Sequence, residues 1–551
     1  MTGCGVPDAP GGSAPQAGVA VATSVTRLAP VSGRVRLLRR AASVAVAGTL
    51  ALVAVWYVAL LIEPMDGRRL RPAPAAGFPV PITSATLLCP DLRPPAGSAV
   101  TVDVATAGGE PGGTADHGPM LDGWVRLFVG DKVNDLHFGP ARRRASVTVS
   151  GGEPLAVRAS GPPAGGLSAT VTAPAANGRT SVTARCDRPR SEFWLVGPAT
   201  VAGRDPLVVL TNPEATPARA EVTVFAHGVA GGPFTVDTAV GAGVTAGVVV
   251  PPLASVTDRL ATMAPDADAT AVRVQVRDGR LTALVLDRAA GPFAPDSTVV
   301  PVVAGAGPAG SLLLPGAATG IGGARVVIAA PEAAAMIRLD LLTPSASYVP
   351  VGFAALWVPR GAVIRLPALP GGAGVAALRL TVRSGGPVIA ALGLPMPAGG
   401  SGQAGSGQAG SGQAGAARAG VAPLPGYRWV GPADVIHPVA TAVTLLPAAT
   451  GQGATTLVLT APDTAVTVWF DGTPVQVPAG RTVAVGRTVA VGRTVAVGQG
   501  SAARMVTRGG PLIAALTTGS GAGSSVLTLS AAPRTVSAPA LVHDPRAAFR
   551  R

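Results

Sequence analysis

Three apolar runs in this chain end in a proline followed at once by an acid: VVLTNPE (Val208–Glu214), VVIAAPE (Val326–Glu332) and LVLTAPD (Leu457–Asp463). Each leads into a second, alternating run: AEVTVFA (Ala220–Ala226), AMIRLDLL (Ala335–Leu342) and AVTVWFD (Ala465–Asp471). Proline has no N–H to give a strand ladder and its φ is fixed, so it stops the strand, and the polar residues beyond it turn the chain. A second anchor follows in each unit: VRDGRLTALV (Val276–Val285), VRSGGPVIAAL (Val382–Leu392) and VTRGGPLIAAL (Val506–Leu516). Strand, glycine turn, strand is a hairpin signal. Between the two anchors lies a Pro-led strand, PLASVTDRL (Pro252–Leu260), PRGAVIRL (Pro359–Leu366) or PAGRTVAV (Pro478–Val485). FWLVGPA (Phe193–Ala199) and YRWVGPA (Tyr427–Ala433) precede the first and third units, and LLLPGAATG (Leu312–Gly320) in the second is similar to TLLPAATG (Thr444–Gly451) in the third.

These anchors predict three diverged β modules, at 191–290, 300–395 and 421–535. Six or seven short strands in roughly 100 residues suit an immunoglobulin-like two-sheet sandwich. A propeller would repeat about every 40–50 residues, and no such period is visible. SGQAG, repeated three times at Ser401–Gly415, marks 396–420 as a flexible linker spanning about 20–25 Å. Module 3 is therefore expected to be tethered rather than docked.

Upstream, SAVTVDVAT (Ser98–Thr106), WVRLFVG (Trp124–Gly130), ASVTVS (Ala145–Ser150) and TSVTARC (Thr180–Cys186) alternate as half-buried strands do, which defines a further β domain at 86–190. Cys89 and Cys186 bracket it. A disulfide between them is expected outside the cytoplasm, two separate buried thiols being the alternative.

Residues 41–62, AASVAVAGTLALVAVWYVALLI, carry no charge and as a helix reach about 33 Å, enough to cross a bilayer. Arg34, Arg36, Arg39 and Arg40 precede the run, so the positive-inside rule keeps residues 1–40 in the cytoplasm as a disordered tail and the bulk outside. The expectation is an uncleaved signal anchor at the plasma membrane, then a Pro/Arg-rich stalk at 63–85 and a tail at 536–551. The net charge of +14 raises nucleic acid as a partner, but the arginines are scattered and aromatics are 3% of the chain, which argues against it.

No residue pattern here points to catalysis, a cofactor or a metal. The histidines (His117, His137, His227, His437, His543) share no metal-ligand spacing. Asp266 and Asp268 form a DxD pair with no βαβ pattern around it. Glu214, Glu332 and Asp463 recur once per module, which suits a turn better than a catalytic acid. Trp124, Trp194, Trp357, Trp429 and Trp469 offer surfaces for packing or for sugar stacking. The shared WxVGP/WVGP context of Trp194 and Trp429 indicates packing at a module entrance.

The run Cys186–Gly232, with its Cys, W-x-VGP, NPE and alternating strand, resembles a family of actinobacterial membrane-anchored or secreted envelope proteins of unknown function (domain of unknown function 5719). The resemblance is strongest from Cys186 to Asp287 and implies a place in the envelope, with no catalytic residues to carry over. The reading that results is a non-catalytic, membrane-anchored β protein presenting surfaces to an envelope protein or a cell-wall glycan. The alternative is a glycan-binding or glycan-processing protein with a site between modules, built from residues such as His227, Asp266 and Trp357. Finally, RTVAVG is written three times in Gly480–Gly498. The first copy reads as the Pro-led strand of module 3, the second as filler and the third as surplus.

Overall fold

The computed structural model describes residues 78–538, apart from 107–122, 139–143, 175–180, 229–243, 290–298, 317–322, 370–374, 397–426, 438–440, 446–454, 471–472, 487–501, 519–524 and 531–534. The expected tail, membrane span and stalk up to residue 77, and the SGQAG tract, lie outside the described residues. Among those described, no helix is long and apolar enough to cross a membrane.

The described residues form almost wholly antiparallel strands. The first, β1 (Phe78–Pro81), is followed by the eight strands of the N-terminal domain: β2 (Ser84–Cys89), β3 (Ala99–Ala105), β4 (Trp124–Val129), β5 (Lys132–Leu136), β6 (Arg144–Ser150), β7 (Leu155–Ser160), β8 (Ser168–Pro174) and β9 (Ser181–Cys186). They form two sheets, β2-β7-β4-β5 and β6-β3-β8-β9. Module 1 comprises β10 (Glu192–Val196), β11 (Leu207–Asn212), β12 (Ala218–Gly228), β13 (Val244–Val250), β14 (Ala254–Arg259), β15 (Ala267–Asp278), β16 (Thr282–Arg288) and β17 (Val299–Val303). Its sheets are β10-β15-β12-β13 and β14-β11-β16-β17.

Module 2 holds β18 (Ser311–Leu314), β19 (Arg325–Ala329), β20 (Ala335–Leu342), a split fourth strand β21 (Ser347–Tyr348) and β22 (Leu356–Val358), then β23 (Val363–Arg365), β24 (Ala377–Gly385), β25 (Ile389–Pro395) and β26 (Tyr427–Val430). Module 3 holds β27 (Thr441–Leu445), β28 (Thr455–Ala461), β29 (Val466–Phe470), β30 (Thr473–Val477), β31 (Arg481–Gly486), β32 (Ala502–Arg508), β33 (Ile513–Thr518) and β34 (Ser525–Thr528), and β35 (Thr535–Ala538) follows. Numbering positions within a unit, all four units share one strand order, 1-6-3-4 in the first sheet and 5-2-7-8 in the second.

The N-terminal domain is thus a fourth copy of the module. The quoted anchors fall on equivalent strands: NPE, APE and APD close position two, and the glycine hairpins join positions six and seven. Gly279, Gly385 and Gly509 take φ of 76°, 96° and 107° at that hairpin, a region where a Cβ is strained. The immunoglobulin order is a correction. That fold pairs strands one and two in one sheet, whereas here they lie in opposite sheets.

The interior of each unit is apolar and drawn from both of its sheets. In the N-terminal domain Val102, Leu127, Val157 and Val171 meet, and in module 2 Ile328, Ile337, Leu378 and Leu392. Alternation along each strand turns these positions into the unit's own interior, while intervening ones such as Val327 and Ala391 are buried on the other face. Packing then continues from unit to unit. Val209, Leu284 and Leu286 of module 1 join the core of the N-terminal domain. Val327, Ala391 and Trp429 of module 2 join that of module 1, and Ile513 of module 3 packs with Leu313, Leu342 and Ala377 of module 2.

The cycle closes. β27 of module 3 packs against β3 and β8 of the N-terminal domain, and the last strands of the units touch in turn, β9 to β17, β17 to β26, β26 to β34, and β34 back to β9. The two ends of this cycle pair as antiparallel strands, Val80 opposite Val536. Sheet therefore follows sheet around a closed circuit, as blades do in a propeller, although no sheet here is the simple meander of a blade.

The reading of SGQAG as an intermodule linker is also corrected. β25 and β26, which flank it, are hydrogen-bonded neighbours in one sheet, with Leu392 opposite Val430. The tract is an insertion between strands seven and eight of module 2, and module 3 is docked on module 2 through the Ile513 cluster. Composition alone reports flexibility and says nothing about which strands an insertion joins.

Candidate functional site

Cys89 and Cys186 form a disulfide, with sulfurs 2.00 Å and Cα atoms 4.1 Å apart. It ties the end of β2 in one sheet to the end of β9 in the other, beside a backbone bridge in which Leu88 N–H donates to the Asp187 carbonyl and Asp187 N–H to that of Leu88 (2.7 and 3.0 Å). Both cysteines are buried, and the bond is structural.

Trp194 and Trp429 are both buried, but they do not occupy equivalent places. Trp194 lies on β10, the first strand of module 1, stacked on Phe225 at 5.9 Å. Trp429 lies on β26, the last strand of module 2. There its indole covers Gly393, whose Cβ would stand 2.6 Å from the ring, and Gly197 of module 1. Its Nε1–H donates to Asp287 Oδ2 at 3.1 Å. Asp287 is 1% exposed and also accepts from Arg204, while its Oδ1 has no partner. Burial raises the Asp287 carboxyl above its ordinary range, against the pull of Arg204 and Trp429. This cluster locks module 1 to module 2.

Two of the three repeated acids also act between units. Glu214 holds Arg158 of the N-terminal domain (3.1 Å) as well as Arg280 (2.9 Å), and Asp463 holds Arg379 of module 2 (2.9 Å). Of the DxD pair, Asp268 binds Arg365 of module 2 at 2.8 Å, and Asp266 is exposed. His227 is exposed on module 1 as well. Among the described residues no contact joins His227 or Asp266 to Trp357, and no group of three metal-ligating side chains forms.

The surface with chemical content is the outer face of module 2's first sheet. Thr381 of β24 lies opposite Arg338 of β20, and Arg379 opposite Asp340. Alternation puts Arg379, Thr381 and Arg383 on one face of β24, with Arg338 and Asp340 beside them. With Asp463 of module 3 they line a cleft of about 380 Å³ at the edge of the module 2–module 3 contact. Arg338 donates to Asp340 Oδ1 from Nε (3.0 Å) and Nη2 (2.6 Å). Arg379 Nη1 donates to Asp463 Oδ1 (2.9 Å) and to the Pro462 carbonyl (3.2 Å). Its buried Nε has no acceptor, the Asp340 carboxylate standing 3.9 Å away. Arg383 is exposed and has no acidic partner among the described residues.

Comparison with module 1 shows what is particular to this face. Val276 pairs with Ala220 and Val382 with Ile337, so Arg277 corresponds to Arg383 and Glu221 to Arg338. Module 1 thus has an ion pair, Arg277–Glu221 at 2.6 Å, where module 2 sets two arginines.

The same face carries an exposed aromatic. Module 2's fourth strand is broken between β21 and β22, where Pro350 lacks a donor and Gly352 takes φ of 88°. Phe353 pins the loop to the core, and the loop leaves Tyr348 47%, Val351 100% and Trp357 57% exposed. Trp357 lies opposite Met336, two residues from Arg338, and so about 7 Å along the strand from it on the same face.

The sequence reading missed these arginines because it saw only scatter. The signal was the replacement of Glu221 by Arg338 at matched register, which is visible only once the strands are paired.

The model of a family of unknown function (DUF5719) matches residues 144–498. No curated protein and no solved structure matches the chain.

Proposed function

The chain belongs to the Family of unknown function (DUF5719), and from that premise we propose that it is a non-catalytic, membrane-anchored protein of the cell envelope whose β modules present a binding surface outside the cytoplasm. The observation that carries this reading is the broken fourth strand of module 2, which holds Trp357 in solvent opposite Met336, two residues from Arg338, on the face that carries the polar cleft. An aromatic ring left exposed next to hydrogen-bonding groups is the usual makeup of a recognition surface. The anchor rests on the apolar run 41–62 with arginines before it. The partner is an envelope protein or a cell-wall glycan.

Two measurements test the proposal. A reporter fused after residue 551 is expected to work only in a form active outside the cytoplasm, and activity solely of a cytoplasmic reporter refutes the orientation. Crosslinking in intact envelope followed by capture of the full chain is expected to enrich a specific protein or glycan, and Trp357→Ala to abolish that enrichment. Unchanged enrichment in the variant rejects the module 2 surface.

A further inference from the structure

We infer that the module 2 face takes an acidic polysaccharide, its sugar ring stacked on Trp357 and its carboxylate or phosphate held by Arg383 and Arg338. This rests on the reading that module 2 presents a binding face, and names the ligand class for it.

Three observations converge. First, the face carries an excess of cation. Arg338, Arg379 and Arg383 line it against Asp340 and Asp463, and Arg383 is the guanidinium left without a carboxylate among the described residues. Second, module 1 differs at the matched positions, where Arg277 is paired with Glu221. Arg338 and Arg383 stand on neighbouring strands, Arg338 already sharing Asp340 and Arg383 with no carboxylate among the described residues. An anion beside them gains charge-assisted hydrogen bonds from the unpaired fork of Arg383, which matches the two oxygens of a carboxylate or phosphate, and from the remaining N–H groups of Arg338.

Third, Trp357 stands in solvent about 7 Å along the strand from Arg338, within reach of one oligosaccharide. A flat indole ring offers an apolar face to the C–H side of a pyranose, which a free anion cannot use. The open cleft of about 380 Å³ leaves a chain running across the edge of the sheet room to pass. Uronate and phosphodiester polymers share this chemistry, and the assay separates them.

The test uses the full chain in detergent, titrated with polygalacturonate, poly(glycerol phosphate), uncharged dextran and inorganic phosphate. At least one charged polymer is expected to bind, and Arg383→Gln and Trp357→Ala each to weaken it about tenfold with an unchanged melting temperature. Equal binding of dextran overturns the acidic assignment and leaves the binding face standing. Binding of phosphate as tight as that of either polymer, lost in Arg383→Gln but not in Trp357→Ala, overturns the saccharide assignment. Charged-polymer binding that neither variant alters shows attraction by the +14 chain as a whole and overturns the site. If no polymer binds while capture from crosslinked envelope still needs Trp357, the ligand class is wrong and the binding-face reading stands. If that capture is also insensitive to Trp357, both fall.

Discussion

Replacing Asp287 by alanine tests how the modules are joined. Asp287 is almost fully buried on β16 of module 1, beside the buried Arg204 and under the indole N–H of Trp429 from module 2. The substitution strands the Arg204 charge in the interior, which typically costs about 3–5 kcal/mol. It also removes the acceptor of Trp429, worth about 1–3 kcal/mol for a buried donor left unpaired. Arg204→Ala alone strands the carboxylate instead. Removing both eliminates the uncompensated charges together, so the double variant is expected to be more stable than either single one, with a coupling of about 3 kcal/mol. The residual loss in the double variant is about that of the Trp429 hydrogen bond. The assay is urea unfolding of the wild type, both single variants and the double variant at pH 8, followed by circular dichroism. A coupling below about 0.5 kcal/mol would show that the pair carries no interaction and would refute the lock.

The two buried aspartates of module 1 should respond to pH in opposite senses. Hydrogen bonding by Arg259, with Arg288, lowers the Asp205 carboxyl below its ordinary 3.8, so its stabilisation is present above that value and lost as pH falls. Asp287 is raised by burial, so its contribution is full below 3.8 and declines as pH rises through the folded value. The cost of Asp205→Asn should therefore grow with pH and that of Asp287→Asn shrink, and parallel slopes in urea titrations would contradict the assignments. Cys89→Ser with Cys186→Ser opens a connection of 97 residues and is expected to cost about 4–5 kcal/mol on the chain-entropy account; a loss below 1 kcal/mol would show that the N-terminal domain does not depend on the bond. In module 3 the connection from β31 to β32 runs over 487–501, against 260–266 in module 1 and 366–376 in module 2. Deleting one RTVAVG shortens it from 15 to 9 residues, inside the sibling range of 7 to 11, and should leave the melting temperature within a few degrees. Unfolding of module 3 would show that the extra copies are structural.

Much of the module was legible because its punctuation is local. Proline after position two and glycine in the hairpin between positions six and seven act through φ and a missing donor, and these constraints depend on no distant residue. The first RTVAVG is a strand as read, with Val458 opposite Ala484. The fourth copy was harder to see. Its second strand ends at Ala105 without the Pro–acid pair, although VRASG (Val157–Gly161) echoes VRDG and VRSGG. Strand order was not legible, since alternation fixes which face is buried and not which strand is the neighbour. The WVGP motif misled for a related reason, because one apolar pattern suits a first strand in Trp194 and a last strand in Trp429. The arginine face of module 2 was invisible from the chain because Arg338 and Arg383 are 45 residues apart in sequence and become neighbours only through register.

The central claim is that four copies of one eight-strand unit close into a circuit rather than hang as a string. Cysteines placed at Val80 and Val536, antiparallel partners of β1 and β35, test it directly in a Cys4→Ser background. Partner Cα atoms in such a ladder stand about 4.5–5.5 Å apart, within disulfide range. The account predicts that the double variant, mildly oxidised in its folded state, forms an intramolecular bond that shifts its mobility on a non-reducing gel. If the two thiols stay free under catalysed oxidation while Cys89 and Cys186 remain paired, the circuit is open and the account is wrong.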